Sequence, residues 1–257
     1  MKNYLEMFDL KGRVAVVTGA SEGIGHDLAL GLAKAGADLV ICSRREQKLH
    51  ELKKEIEKIG PRAEVYALDV SQLAGIQGLK PFLLDRFGKA DVLVNSAGIL
   101  IKKMAWEVKE KDWDAMVDTG LKGIFFCCQV IGSIMRDQKY GKIINISSTY
   151  SQCCSPVGLS VYGAIKAGVS HLTEFLATEW ASCGIRVNAL APTATRTPSR
   201  QQSLQGETLK RVVDHIPLGR LGTTEDLIGG AIYLASGASD FVTGHTLFVD
   251  GGWVAAS

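Results

Sequence analysis

Tyr162 and Lys166 stand four positions apart in "VYGAIKAG" (161–168), inside a stretch that reads as helix. One helical turn separates them, so both side chains leave the same face. That face is either a packing surface with a polar rim, or a phenol whose proton is tuned by an ammonium beside it. Free tyrosine titrates near 10, so a phenol working as acid or base at neutral pH needs a positive neighbour. An ammonium about 4 Å away is worth on the order of 4 kcal/mol at an effective dielectric of 20, roughly three pK units. Because Y-x-x-x-K also arises by chance, the elements around the pair have to decide between the two readings.

Those elements alternate. Short β-branched runs predict strands at 13–18, 38–43, 63–68, 91–96, 141–147, 184–190 and 245–249. The early ones are almost continuously apolar, as strands covered on both faces are. Amphipathic stretches lie between them; in 46–58 the apolar stripe is Leu49, Leu52 and Ile56, continued by Ile59. This rhythm predicts an α/β fold with a parallel, doubly wound sheet in a single domain spanning 1–257. The polar, irregular segment 198–212 is expected to be a mobile flap.

Composition narrows the partners. Lys plus Arg is 29 against 27 for Asp plus Glu, a net charge of +2, which carries no nucleic-acid or membrane footprint. Hydropathy shows no uninterrupted run of 18 or so apolar residues, and the acids in "MKNYLEMFDLKG" do not fit a secretory signal. The six cysteines form no C-x-x-C and the five histidines no H-E-x-x-H, so the expectation is reduced thiols, a cytoplasmic location and no metal.

"TGASEGIG" (18–25) follows the first strand and opens the first helix. Gly19, Gly23 and Gly25 allow a tight turn that leaves helix-terminal N–H groups facing an incoming anion, so a dinucleotide site is expected, with Ser21 and Ile24 in the same turn. Strand two ends at Ser43, where the adenosine ribose should lie, and is followed by Arg44 and Arg45 rather than an acid. Two arginines at a helix start oppose the macrodipole and so point to an anion partner, although a solvated basic pair is the alternative. Glu22 would repel a 2′-phosphate if it pointed that way. On balance NADP(H) is expected over NAD(H). Asp69 after strand three, beside Val70, is placed to meet the adenine edge.

Taken together, T-G-x-x-x-G-I-G, "NSAG" (95–98) and Tyr162-x-x-x-Lys166 resemble the short-chain dehydrogenase/reductase family, and the resemblance runs through "IPLGRLGTTEDL" (216–227) to "VDGG" (249–252). It implies a Rossmann-type sheet of about seven strands, a nicotinamide cofactor, hydride transfer between a secondary alcohol and a ketone, and a homodimer or homotetramer. It assigns catalysis to Tyr162, Lys166 and Ser148, with Thr149 in reserve because the loop before Tyr162 is one residue longer than the family pattern. It places Asn95, Ala97 and Gly98 along the cofactor ribose, and Pro192, Thr195 and Thr197 in the segment that clasps the nicotinamide.

Two positions depart from the family pattern. Gly120 stands where an asparagine usually bends the helix and holds a relay water, and Thr193 stands where a glycine usually follows the proline. Gly120 and the longer loop after Ser148 keep open a second hypothesis, a nucleotide-binding relative with impaired chemistry. "GILIKKMAW" (98–106), "EWA" (179–181) and the "VDGGW" ending resemble sugar-acid dehydrogenases acting on gluconate or keto-deoxy-gluconate, with a 3-oxoacyl ketoreductase as the rival. A small-molecule substrate with an anionic group is therefore expected, read by Lys102 or Lys103 and closed over by Arg200.

Overall fold

The computed structural model describes residues 3–155, 157–200 and 204–257. Its strands are β1 (Val14–Thr18), β2 (Asp38–Ser43), β3 (Ala63–Ala67), β4 (Val92–Asn95), β5 (Gly141–Ile146), β6 (Ile185–Pro192) and β7 (Thr246–Val249). They form one parallel sheet in the order β3-β2-β1-β4-β5-β6-β7, as the alternating pattern predicts. The order reverses between β1 and β4, and a doubly wound sheet opens its ligand crevice at the carboxyl ends of the strands at such a point.

Side-chain alternation in β1 divides the core into two layers. Val14 and Val16 face α3 (Leu73–Phe87), α5 (Gly123–Gln138) and α6 (Ser160–Trp180), meeting Leu79, Ile131 and Val169 among others. Ala15 and Val17 face α1 (Gly23–Lys34), α2 (Glu46–Ile59) and α8 (Glu225–Ala235). Leu49, Leu52 and Ile56 of α2 are fully buried as expected, but Ile59 is 40% exposed. It is the last residue of the helix, where Gly60 turns the chain off the sheet, so its side chain has no layer left to enter.

α4 (Glu110–Val117) runs into α5 through a π-turn at Asp118–Lys122. The combined run is long and apolar enough to cross a membrane by length and composition. Here Ile124, Cys127, Cys128, Ile131 and Met135 of that run sit in the core. The segment expected to be a flap begins with a turn at Pro198–Arg200 and continues in α7 (Gly206–Asp214), while residues 201–203 lie outside the described residues.

A buried polar chain fixes α6 to the sheet. Asn95 Nδ2 donates to Asn145 Oδ1 at 2.9 Å, Asn145 Nδ2 donates to Thr173 Oγ1 at 2.9 Å, and that hydroxyl donates to the Val169 carbonyl at 2.8 Å. Truncating the central member strands groups on both sides, and each buried unpaired group costs about 1–3 kcal/mol. Asn145→Ala should therefore lower unfolding stability by at least about 2 kcal/mol. A urea midpoint equal to that of the wild type would show that the chain is not under this constraint.

Candidate active site

The glycine turn joins β1 to α1 and is shaped by close backbone approach. Gly19 has φ of 70°, and a Cβ on it would fall 2.8 Å from the backbone of Ala97; a Cβ on Gly25 would run into the Gly19 carbonyl oxygen. Thr18 Oγ1 accepts from the N–H groups of Ser96 and Ala97 at 3.2 and 3.3 Å, pinning the chain after β4 beside the turn. Glu22, which precedes α1, makes no side-chain cap, so the first N–H groups of the helix face the crevice with no carboxylate of their own. This cradle fits a dinucleotide pyrophosphate: there is room for backbone approach where a side chain would intrude.

Around the cradle the structure brings together Gly19, Ser21, Gly23, Ile24 and Gly25 in the turn, with Thr197 methyl 3.3 Å from where a Gly23 Cβ would be. Ser43 ends β2 and its hydroxyl accepts from the Arg45 N–H at 3.1 Å. The Arg44 side chain is 70% exposed and lies 3.9 Å from Asp69. Burial raises the Asp69 carboxyl, but the Ser71 N–H and hydroxyl outweigh it and hold the group below the usual range. Val70 is buried. Pro192 closes β6, and Thr195, bridged to Gly222, donates to the Thr193 carbonyl at 3.0 Å. The Asn95 side chain turns inward: it is buried in the sheet and bonded to Asn145, with Cys128 Sγ at 3.2 Å.

At the chemical end, Ser148 follows β5 and its hydroxyl accepts from the Tyr150 N–H at 3.2 Å. Its side chain lies close enough to the Tyr162 phenol to pull that group down. The Thr149 hydroxyl, the reserve, is buried and has no hydrogen-bond partner among the described residues. Lys166 is buried, its Nζ donating at 2.6 Å to the Ile146 carbonyl and lying 5.7 Å from the centre of the Tyr162 ring.

This geometry corrects the expected tuning of the phenol. Burial pushes Tyr162 above 10, outweighing the Arg200 charge and the Ser148 side chain that pull it down. The Lys166 ammonium is spent on a carbonyl beneath the ring, and burial lowers it to about 8. The protein by itself thus favours a protonated phenol, a proton donor, beside a lysine that titrates close to neutrality.

The sequence pattern of the enoyl-(acyl carrier protein) reductase family matches residues 19–254. The chain is 40% identical over 253 residues to the 2-dehydro-3-deoxy-D-gluconate 5-dehydrogenase of Dickeya dadantii, covering 98% of this chain and 99% of that one. It is 36% identical over 245 residues to the 3-oxoacyl-(acyl-carrier-protein) reductase of Thermotoga maritima, covering 95% and 99%. The solved gluconate 5-dehydrogenase of Burkholderia cenocepacia, in complex with NADP and tartrate, superposes with a TM-score of 0.95 at 38% identity over 99% of this chain and 100% of that one. The chain belongs to the short-chain dehydrogenase/reductase family. As a member of that family it is an oxidoreductase.

In this short-chain dehydrogenase the two lysines expected to read an anion part company. Lys103 is committed to Asp112 at 2.5 Å, and its backbone N–H is tied to the Gly158 carbonyl at 2.9 Å, so it locks the loop after β4 instead of facing outward. Lys102 is exposed. Arg200 is the cation whose field reaches the phenols of Tyr150 and Tyr162. Sequence reasoning passed over Tyr150, whose ring stands edge-on to Tyr162 at 6.4 Å and to Trp253 at 6.5 Å. An aromatic two residues after Ser148 was the available signal.

The lysine sets a pH limit. Lys166 is charged below its lowered value of about 8 and neutral above it, so a step that needs the ammonium is intact in acid and lost in base. For ketone reduction, kcat/KM should be level up to about pH 7 and fall about tenfold per unit beyond pH 8. A profile flat to about pH 10 would count against a working Lys166 ammonium.

Proposed function

We propose that this oxidoreductase uses NADP(H) to interconvert a hydroxy sugar acid and its keto form. The observation that carries the reading is Lys166 Nζ, bonded to the Ile146 carbonyl at the carboxyl end of β5 and 5.7 Å from the Tyr162 ring, with Ser148 two residues further along the chain. A nicotinamide nucleotide supplies the hydride when bound. The Ser148 hydroxyl holds the reacting oxygen and the Tyr162 phenol gives it a proton on reduction, recovering the proton on oxidation. Lys166, charged below its pKa, stabilises the phenolate left behind.

The sugar-acid assignment is supported by full-length similarity to enzymes named for gluconate substrates and by the tartrate in the Burkholderia structure. Arg200 supplies positive charge on the phenol side. NADP(H) is supported by Arg44 and Arg45 after β2, by Lys48 in the first turn of α2, and by the NADP in that same neighbour. Free cysteines fit a cytoplasmic location. Trp113, Phe125 and Phe175, large and exposed on α4, α5 and α6, fit burial in a homodimer or homotetramer.

Tyr162→Phe should reduce turnover by about 10²–10⁴ while leaving nucleotide affinity nearly unchanged, since the hydroxyl acts on the substrate oxygen. Gluconate-type acids should be turned over in preference to their neutral polyols and to 3-oxoacyl thioesters. Near-normal kcat in Tyr162→Phe would end the mechanism, and a preference for the thioester would move the protein to the ketoreductase class.

A further inference from the structure

Three cations stand at the end of β2, and each is already turned toward a carboxylate. Arg45 spans the gap to the glycine turn: its Nε and Nη2 donate to Ser21 Oγ at 3.2 and 2.9 Å, and its Nη1 meets Glu22 Oε2 at 2.7 Å. Lys48, in the first turn of α2, reaches the same Glu22 oxygen at 3.2 Å. Arg44 leans toward Asp69 at 3.9 Å. Glu46, the remaining acid of this helix start, faces His50 at 3.6 Å.

A 2′-phosphate is a near-dianion with three strong acceptor oxygens, and arginine and lysine are the side chains that recognise it. A carboxylate that holds two of these cations competes with the phosphate for them and repels it as well. The competition is reversible, because the Arg45 and Lys48 side chains remain about half exposed, and exposed ion pairs are weak. Glu22 is not needed to close α1, since its side chain makes no cap, so its role at this place is the pairing itself.

We infer that Glu22 sets the discrimination between phosphorylated and unphosphorylated dinucleotides by holding Arg45 and Lys48 as an internal substitute for the 2′-phosphate. Glu22 thus restrains the preference for NADP(H) and keeps NAD(H) usable. The inference rests on the dinucleotide reading of the cradle.

Calorimetric titration of the apo protein with 2′,5′-ADP and with 5′-ADP separates the two. In Glu22→Gln the ratio of the two affinities should rise in favour of 2′,5′-ADP by about tenfold or more, the size of one charge-assisted contact. Glu22→Ala should move the ratio the same way, and adding Arg45→Gln should cancel the gain. The gain should also shrink as salt is raised, since the groups are exposed. A ratio that stays level or falls in both Glu22 variants overturns the inference while the dinucleotide reading stands. Failure of the wild type to bind either nucleotide overturns both.

Discussion

A buried ammonium must have an acceptor, and here the acceptor is a main-chain carbonyl at the end of a strand. Leaving such a charge unpaired in the interior would cost several kcal/mol, so the Lys166–Ile146 contact dictates where α6 lies. The residues on either side in the chain make the same demand. Asn145 reaches Thr173, and the Ser147 hydroxyl donates to the Lys166 carbonyl at 3.1 Å and accepts from the Ser170 hydroxyl at 2.8 Å. Three consecutive residues at the end of β5 therefore each grip α6. Ser148, the next residue along, meets Tyr162 because that grip has already fixed the helix in rotation and height.

The nucleotide end obeys a different constraint, one of space rather than charge. Two chain segments, the turn after β1 and the turn after β4, have to pass each other with no side chain between them. Glycine at 19 permits it, and Thr18 stitches the two turns together through its hydroxyl. The parallel register of β1 and β4, which pairs Thr18 with Asn95, puts these groups opposite one another. The sheet reversal thus supplies the crevice, and two small residue choices keep it open.

Strand positions were legible because a parallel sheet covered on both faces must be apolar along its whole length, which leaves a run that sequence alone reveals. Tyr162 and Lys166 were legible because helical spacing is a property of the chain itself. What sequence could not carry was the direction of polar side chains. Asn95 sits in a motif beside the crevice yet turns inward, because Asn145 across the β4–β5 pairing offers its amide a partner. Lys103 looks like a solvated loop cation until the fold brings Asp112 to it, and Glu22 looks repulsive to phosphate until Arg45 and Lys48 arrive from β2 and α2. In each instance the deciding partner is distant in sequence or lies across a turn.

Gly120 joins these two kinds of constraint. It is buried in the π-turn between α4 and α5, not in a regular α-helix. The glycine is also a packing choice: a Cβ at this position would stand 3.0 Å from Ile165 Cγ2. Ile165 is buried and immediately precedes Lys166, so whatever displaces it presses on the helix that carries the ammonium. A side chain at 120 has to be accommodated by α6, yet α6 is held by Asn145, Ile146 and Ser147 and has little freedom to yield. The packing at 120 and the position of the lysine are in this way tied together by one contact, that of Gly120 with Ile165.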